Sequence, residues 1–206
     1  MPQGLHSIVK GMTDPRLIVF VKAPRPGFVK TRIAATLGAD AACRIYSGLV
    51  ATLLATLAPL PKVELRFTPD EALDEIQPWL RPGWSASPQG PGDLGNRMHR
   101  AFVDAGGSAI LIGSDCPYIQ QAHLSQAAEH LATHDVVLGP AEDGGYWLIG
   151  LNRPCPALFE GIDWGSSTVL AATLKEAALQ DYRVQLLPTL RDVDTLEDYL
   201  RLTVGN

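Results

Sequence analysis

Cysteine is scarce in this chain: Cys43, Cys116 and Cys155 are odd in number and widely spaced among 206 residues. They form neither a C-x-x-C pair nor a disulfide framework, which excludes a disulfide-stapled scaffold and suits a reducing cytoplasm. No His/Cys spacing resembles a zinc site. The five histidines (His6, His99, His123, His130 and His134) fall on the N-terminal tail or in helical segments. Ser114 and Cys116 therefore have no histidine partner for nucleophilic catalysis, and Cys116 reads as a small packed side chain. A basic excess is missing too. With a net charge of −5, the chain lacks the broad basic face that general nucleic-acid binding needs. The longest apolar-leaning run, Leu49 to Leu60, is too short to span a bilayer and carries threonines and a proline. Met1 to Arg16 has no apolar core and no signal-peptide pattern, and residues 1–15 read as a loosely ordered leader to the first strand. No membrane association is expected.

What is present describes an ordinary globule, with 46% hydrophobic and 19% charged residues. At this length one domain, 1–206, is the natural expectation. Short apolar runs alternate with helical periodicity. Leu17 to Val21, Ala109 to Gly113 and Val136 to Leu138 read as buried strands. Val63 to Phe67 alternates, Ser85 to Ser87 is a weak strand, and Tyr146 to Leu151 and Val184 to Leu187 add two more. Ala42, Ile45, Tyr46, Leu49, Leu53 and Leu57 fall at helical spacing and predict one long amphipathic helix. Further helices are expected over Asp70–Trp79, up to Val103 after the Gln89–Arg97 loop, around Leu124–Leu131, over Ser166–Leu179 and from Thr195. Strands alternating with helices imply a single three-layer α/β/α sandwich with a mostly parallel sheet.

Chemistry gathers behind the strands. Between Asp14 and Asp40 stand five basic residues and no acid, in a protein that is acidic overall. Lys22, Arg25, Lys30 and Arg32 follow the first strand in a loop that Pro24, Pro26 and Gly27 keep from continuing as strand or helix. Four cations at the carboxyl end of a strand suit a di- or triphosphate. Asp115 ends another buried strand, where a carboxylate can ligate Mg²⁺ beside phosphate oxygens; capping of the next helix is its plainer role. Asp192 and Asp194 are two residues apart, so extended backbone points both the same way, and such a pair repels unless a cation or proton lies between. Thr195-x-x-Asp198 reads as a capping box for the last helix. Asp143 with Gly144 and Gly145 forms a fourth strand-end element, where Asp143 offers a base or a hydroxyl acceptor and the glycines admit close backbone approach. Tyr146 can serve core or ligand, Trp147 reads as core, and Trp164 to Ser167 either closes the pocket or caps a helix.

Two other motifs compete. Gly27-Phe-Val-Lys30-Thr31 echoes a Walker A loop but lacks its second glycine and spacing, so a P-loop enzyme is excluded. Gly90-Pro-Gly92-Asp-Leu-Gly95 satisfies G-x-G-x-x-G, yet its preceding strand is polar and proline-bearing, and nicotinamide-cofactor binding leaves the basic loop unexplained.

Lys22-Ala-Pro-Arg-Pro-Gly27-x-x-Lys30-Thr-Arg32, Gly113-Ser-Asp-Cys-Pro117, Gly139-Pro-x-x-Asp-Gly-Gly-Tyr146 and Asp192-x-Asp-Thr195 occur in order across Leu17 to Leu202. Together they resemble the bacterial glycosyltransferase-like proteins of the glycosyltransferase-A, or nucleotide-diphospho-sugar transferase, superfamily, some of them described as arsenosugar-biosynthesis glycosyltransferases. A wider similarity reaches the phospholactate and molybdopterin-cofactor guanylyltransferases. The resemblance implies a Rossmann-like glycosyltransferase-A fold and a Mg²⁺- or Mn²⁺-dependent transferase acting on a nucleotide donor and a small-molecule acceptor. In that reading Lys22, Arg25, Lys30 and Arg32 clamp phosphates, and Asp115, Asp192 and Asp194 hold the metal. Gln89, Gly92, Gly95 and Arg97 border the base or ribose, while Asp143, Gly144, Gly145, Tyr146 and Trp164 face the acceptor. Lys30, Asp115 and Asp143 are the expected catalytic residues. Sugar transferases of the superfamily carry Asp-x-Asp where this chain reads Gly113-Ser-Asp115. That departure keeps nucleotidyl transfer as a competitor, with a catalytically silent nucleotide-binding module as the third possibility.

Overall fold

The computed structural model describes residues 14–204, so most of the expected N-terminal leader lies outside the described residues. The chain runs β1 (Arg16–Lys22), α1 (Thr31–Leu37), α2 (Ala39–Leu57), β2 (Val63–Thr68), α3 (Leu73–Ile76), β3 (Ser85–Pro88), α4 (Leu94–Ala105) and β4 (Ala109–Gly113). It continues through α5 (Gln121–Leu131), β5 (Val136–Pro140), β6 (Tyr146–Leu151), α6 (Val169–Leu179), β7 (Val184–Leu186) and α7 (Leu196–Val204). The strands form one sheet in the order β3-β2-β1-β4-β6-β5-β7. All pairings are parallel except those of β6, which runs antiparallel to both β4 and β5.

Strand composition explains the layering. In β1 every residue from Leu17 to Val21 is buried, as both faces of a central parallel strand must be. Leu17, Val19 and Val21 join one core with residues of α2 and α5; Ile18 and Phe20 join another with residues of α4 and α6. Helices therefore cover both faces, and the expected mostly parallel sandwich is what the chain forms.

The predicted long helix forms unbroken as α2, and the sequence pattern does not show the helix before it. That helix is the short α1; the two meet at Gly38, and α2 spans 19 residues. The α2 stripe of Ala42, Tyr46, Leu49, Leu53 and Leu57 is buried, and Tyr46, Leu53 and Leu57 join the core against the sheet. Among the described residues α2 is the one helix long and apolar enough to cross a membrane, which the shorter Leu49–Leu60 window did not reveal. Each fully buried leucine of the stripe contributes about 1.5–3 kcal/mol, and truncating one, as in Leu53→Ala, should cost about 2–5 kcal/mol. The helix expected over Asp70–Trp79 reduces to the four residues of α3 followed by a 3₁₀ turn, Gln77–Trp79, entered at Pro78.

Candidate active site at the carboxyl edge of the sheet

The chain moves outward from β1 to β2 and β3, then returns to place β4 on the other side of β1. Neighbouring strand ends whose connections depart in opposite directions leave a crevice between them, and ligands of open α/β sheets bind there. The loops after β1 and β4 flank this crevice. Because β6 is antiparallel, the hairpin joining it to β5 brings Asp143 to the same edge.

Lys30 is the centre of the site. It occupies left-handed backbone (φ 47°) directly before α1, a conformation uncommon for a side-chain-bearing residue. Its side chain is only 4% exposed, with Nζ 2.6 Å from Asp115 Oδ1 and 2.9 Å from Asp194 Oδ1. Burial alone would lower the ammonium's pKa, but Asp115 and Asp194 outweigh it and hold the pKa above its ordinary value. Arg32 lies further out, 72% exposed, with Nη1 3.9 Å from Asp194 Oδ2. Lys22, Phe28, Lys30, Arg32, Tyr46, Asp115 and Asp194 line a polar cleft of about 140 Å³.

The acids arrive by two routes. Asp115 follows the end of β4. The Asp192–Asp194 segment is pinned against it by Val193, whose N–H donates to the Asp115 carbonyl at 2.9 Å. The same segment is stapled to the β5–β6 hairpin, since Leu190 N–H donates to the Pro140 carbonyl and Arg191 pairs with Glu142. Asp192 is pushed up to about 7 by burial and by the charges of Asp115, Asp143 and Asp194, partly offset by Lys30. Four carboxylates thus share one electrostatic neighbourhood. Among the described residues, however, no three His, Cys, Asp or Glu side chains converge as a metal site. The cation between Asp115 and Asp194 is the Lys30 ammonium. Asp198 has the structural role expected of it: its carboxylate accepts from Thr195 N–H and Oγ1, and its own N–H donates to Thr195 Oγ1.

Several expected contacts are committed elsewhere. Arg25, expected to clamp phosphate, instead pairs with Glu75 at 2.6 Å and Glu71 at 2.9 Å, locking the loop to the α3 region. Gln89 is buried, and its amide donates to the carbonyls of Val21 and Arg66, stitching the ends of β1 and β2. Arg97 donates to the Gly92 carbonyl and so braces its own loop. A Cβ on Gly95 would lie 2.5 Å from Trp164 Nε1 and 2.7 Å from the Phe159 carbonyl, so this glycine makes room for protein and not for phosphate. At Gly144 (φ 90°) a Cβ would meet the Ser167 carbonyl at 2.0 Å, and the Gly144 carbonyl accepts from Leu170 N–H. Its freedom lets the hairpin seat the start of α6. The Asp143 carboxylate accepts from Gly145 N–H at 2.9 Å, fixing the hairpin tip. Tyr146 points into the core with its hydroxyl buried, and Trp164 stacks on Phe159 at 6.5 Å. Both pack inward and do not face an acceptor.

Sequence reasoning missed Tyr46. Its hydroxyl accepts from Lys22 N–H at 2.7 Å and faces the Lys22 carbonyl at 3.1 Å and Ser114 Oγ at 3.2 Å. One phenol thus fastens the end of β1 to the end of β4. Its place in the apolar stripe of α2 concealed this, because periodicity reports the face of a helix but not what the tip of a side chain meets. Phe28, 70% exposed on the cleft rim, belongs to no periodic pattern that would mark it in the sequence.

Comparison with known proteins bears on the fold that carries this site. No curated protein matches the chain. A candidate nucleotide-diphospho-sugar transferase of Desulfovibrio desulfuricans G20 is 34% identical, with a TM-score of 0.86 over 95% of this chain and 88% of its own. Molybdopterin-guanine dinucleotide biosynthesis protein A of Archaeoglobus fulgidus shares the fold at 14% identity and a TM-score of 0.53, over 92% of this chain and 100% of its own. A Mycobacterium tuberculosis H37Rv protein, solved as a complex with manganese, shares it at 16% identity and a TM-score of 0.55, over 94% and 100%. The fold is therefore that of nucleotide-using transferases, as the four motifs imply. Residues 52–166 match the model of a family described as uncharacterized protein conserved in bacteria (DUF2064), and with the 34%-identical relative this shows that the chain belongs to that family.

Proposed function

We propose that the protein is a Mg²⁺- or Mn²⁺-dependent transferase that uses a nucleotide-activated donor, foremost a nucleotide-sugar glycosyltransferase working in the reducing cytoplasm. One observation carries the reading: Lys30 and Asp115 meet at 2.6 Å, from the loops after β1 and β4. Lys22 and Arg32 line the same cleft, where three positive side chains can receive phosphate oxygens. The description of the 34%-identical relative points to the same donor class.

The donor chemistry suits the cation, although Asp115, Asp192 and Asp194 do not converge on one point among the described residues, so one or two of them would bind it together with phosphate oxygens. Asp115, Asp192 and Asp194 offer hard carboxylate oxygens of the kind Mg²⁺ and Mn²⁺ prefer. Asp192 is pushed up to about 7 first by burial and then by the charges of Asp115, Asp143 and Asp194, which Lys30 offsets only in part. A bound divalent ion would supply neutralisation of charge on the phosphates. Lys22, Lys30 and Arg32 would steady the departing nucleoside diphosphate, and Asp143 at the hairpin tip would orient or deprotonate the acceptor hydroxyl. Catalysis of this kind is mainly positioning and charge stabilisation.

A second reading rests on the end of β4. Gly113 supplies no carboxylate there, and the Ser114 hydroxyl is turned to Tyr46, leaving Asp115 as the acid of that turn. This favours nucleotidyl transfer, in which the phosphate of an acceptor attacks a nucleoside triphosphate and pyrophosphate departs. Incubation with nucleotide-sugars and, separately, nucleoside triphosphates in the presence of Mg²⁺ separates the two by release of nucleoside diphosphate or of pyrophosphate. Ligand-dependent thermal stabilisation without either product would leave a silent binding module. Asp115→Asn should abolish the metal dependence of nucleotide affinity; an unchanged dependence would move the metal elsewhere.

A further inference from the structure

We propose that Lys30 is a built-in counter-ion that keeps the divalent-cation position closed until nucleotide phosphates draw it away, so that the site takes metal and nucleotide together and binds metal alone poorly. The inference rests on the nucleotide site proposed above and concerns the order in which that site fills.

The ammonium contacts one oxygen each of Asp115 and Asp194, at 2.6 and 2.9 Å. These carboxylates come from segments far apart in the chain and are 40% and 41% exposed, so each retains a flank open to solvent. A divalent ion approaching from that flank meets a positive charge already in contact with its ligands, and like charges in a partly desolvated cleft repel strongly. Metal binding alone must therefore displace Lys30 from both carboxylates with no new anion for the ammonium to join.

Phosphates reverse the balance. Their oxygens give the ammonium other acceptors, and a lysine can follow them because its charge is compact and its stem has four flexible carbons. The root of the side chain stays fixed: Val29 is buried on one side and α1 begins on the other. Motion is thus confined to the stem, a swing from carboxylates to phosphate. Arg32 does not duplicate this device, since its guanidinium is 3.9 Å from Asp194 and largely in solvent. Nor does Arg25, which Glu71 and Glu75 hold.

The test is Mn²⁺ binding to the full chain, followed by electron paramagnetic resonance of free Mn²⁺, for wild type, Lys30→Met and Lys30→Gln. With Mn²⁺ alone, both variants should bind at least about tenfold more tightly than wild type, because the competing charge is gone. A pure phosphate clamp would leave Mn²⁺ affinity unchanged in both, and that result, or weaker binding, overturns the proposal. Wild type is then titrated with Mn²⁺ in the presence of ADP, CDP, GDP or UDP, corrected for Mn²⁺ held by free nucleotide. The nucleotide that binds should tighten Mn²⁺, and an affinity indifferent to it overturns the proposal even if neither variant folds. Should no nucleotide bind, the functional reading fails on that arm, while the competition between Lys30 and the cation is decided by the variants alone.

Discussion

Replacing Tyr46 by phenylalanine removes one oxygen and almost no volume, so the consequence can be worked out from its contacts. Burial holds the phenol above its ordinary pKa, which keeps it a neutral hydroxyl throughout the accessible pH range. It accepts from Lys22 N–H at 2.7 Å and has one proton to give to the Lys22 carbonyl or to Ser114 Oγ. In Tyr46→Phe the Lys22 N–H loses its acceptor, and an unsatisfied donor at such a site costs about 1–3 kcal/mol. For a chain of this size each kcal/mol moves the midpoint by about 2–4 °C. Differential scanning calorimetry should therefore show a drop of roughly 2–12 °C. Ser114→Ala should cost less, about 0.5–1.5 kcal/mol, since it removes a single neutral partner. Nucleotide-induced stabilisation should shrink as well in Tyr46→Phe, because the ends of β1 and β4 lose their common fastening. A midpoint within about 1 °C of wild type would refute the reasoning and show that the strand ends are held by the sheet alone.

Other consequences can be checked in the same preparations. Asp192 ionises near pH 7 in the folded chain against 3.8 ordinarily. The folded state keeps a proton there that the unfolded state releases, so its stabilisation is complete below about pH 4 and fades as pH rises towards 7. Asp192→Asn should flatten that slope in a melting series and raise stability at pH 8 by an amount on the order of 1–3 kcal/mol. Gly95→Ala should lose about 1–3 kcal/mol in urea denaturation by crowding Trp164 and the Phe159 carbonyl, with phosphate affinity following only through that disturbance. In isothermal titration, Arg32→Gln should weaken nucleotide binding by about fivefold or more, as loss of a charge-assisted phosphate contact does. Arg25→Gln should change it by less than about twofold, because the two partly exposed ion pairs it loses, to Glu71 and Glu75, lie outside the cleft.

Strong local signals were legible in the chain. Leu17 to Val21 and Ala109 to Gly113 are apolar runs that only a buried strand explains, and both are central strands. The charges behind β1 and β4 were legible as well, but the meeting of Lys30 with Asp115 depends on those two strands being neighbours, which local pattern does not report. Helix α1 escaped because only Ile33 is buried along it, leaving no stripe to recognise. The direction of β6 escaped for another reason: a strand buried on both faces has the same composition whichever way it runs. Where charges could pair with each other, local reading overcounted the ligand site. Arg25 belongs to the same basic loop as Lys30, and the placement of Glu71 and Glu75 across the fold is what makes it a lock and not a clamp. The G-x-G-x-x-G echo misled similarly, since Gly95 is small for the sake of an indole.

Lys30 and Asp194 stand 164 residues apart, and this distance has a meaning on the ribosome. At common elongation rates of about 5–20 residues per second, roughly ten to thirty seconds separate the emergence of the two. All seven strands of the described residues have been made by Leu186, so the nascent sheet can assemble before its last carboxylate exists. Shape and competence are thus acquired in succession: a translation product interrupted between Leu186 and Asp194 would have every strand it needs and an ammonium with only half its anionic company.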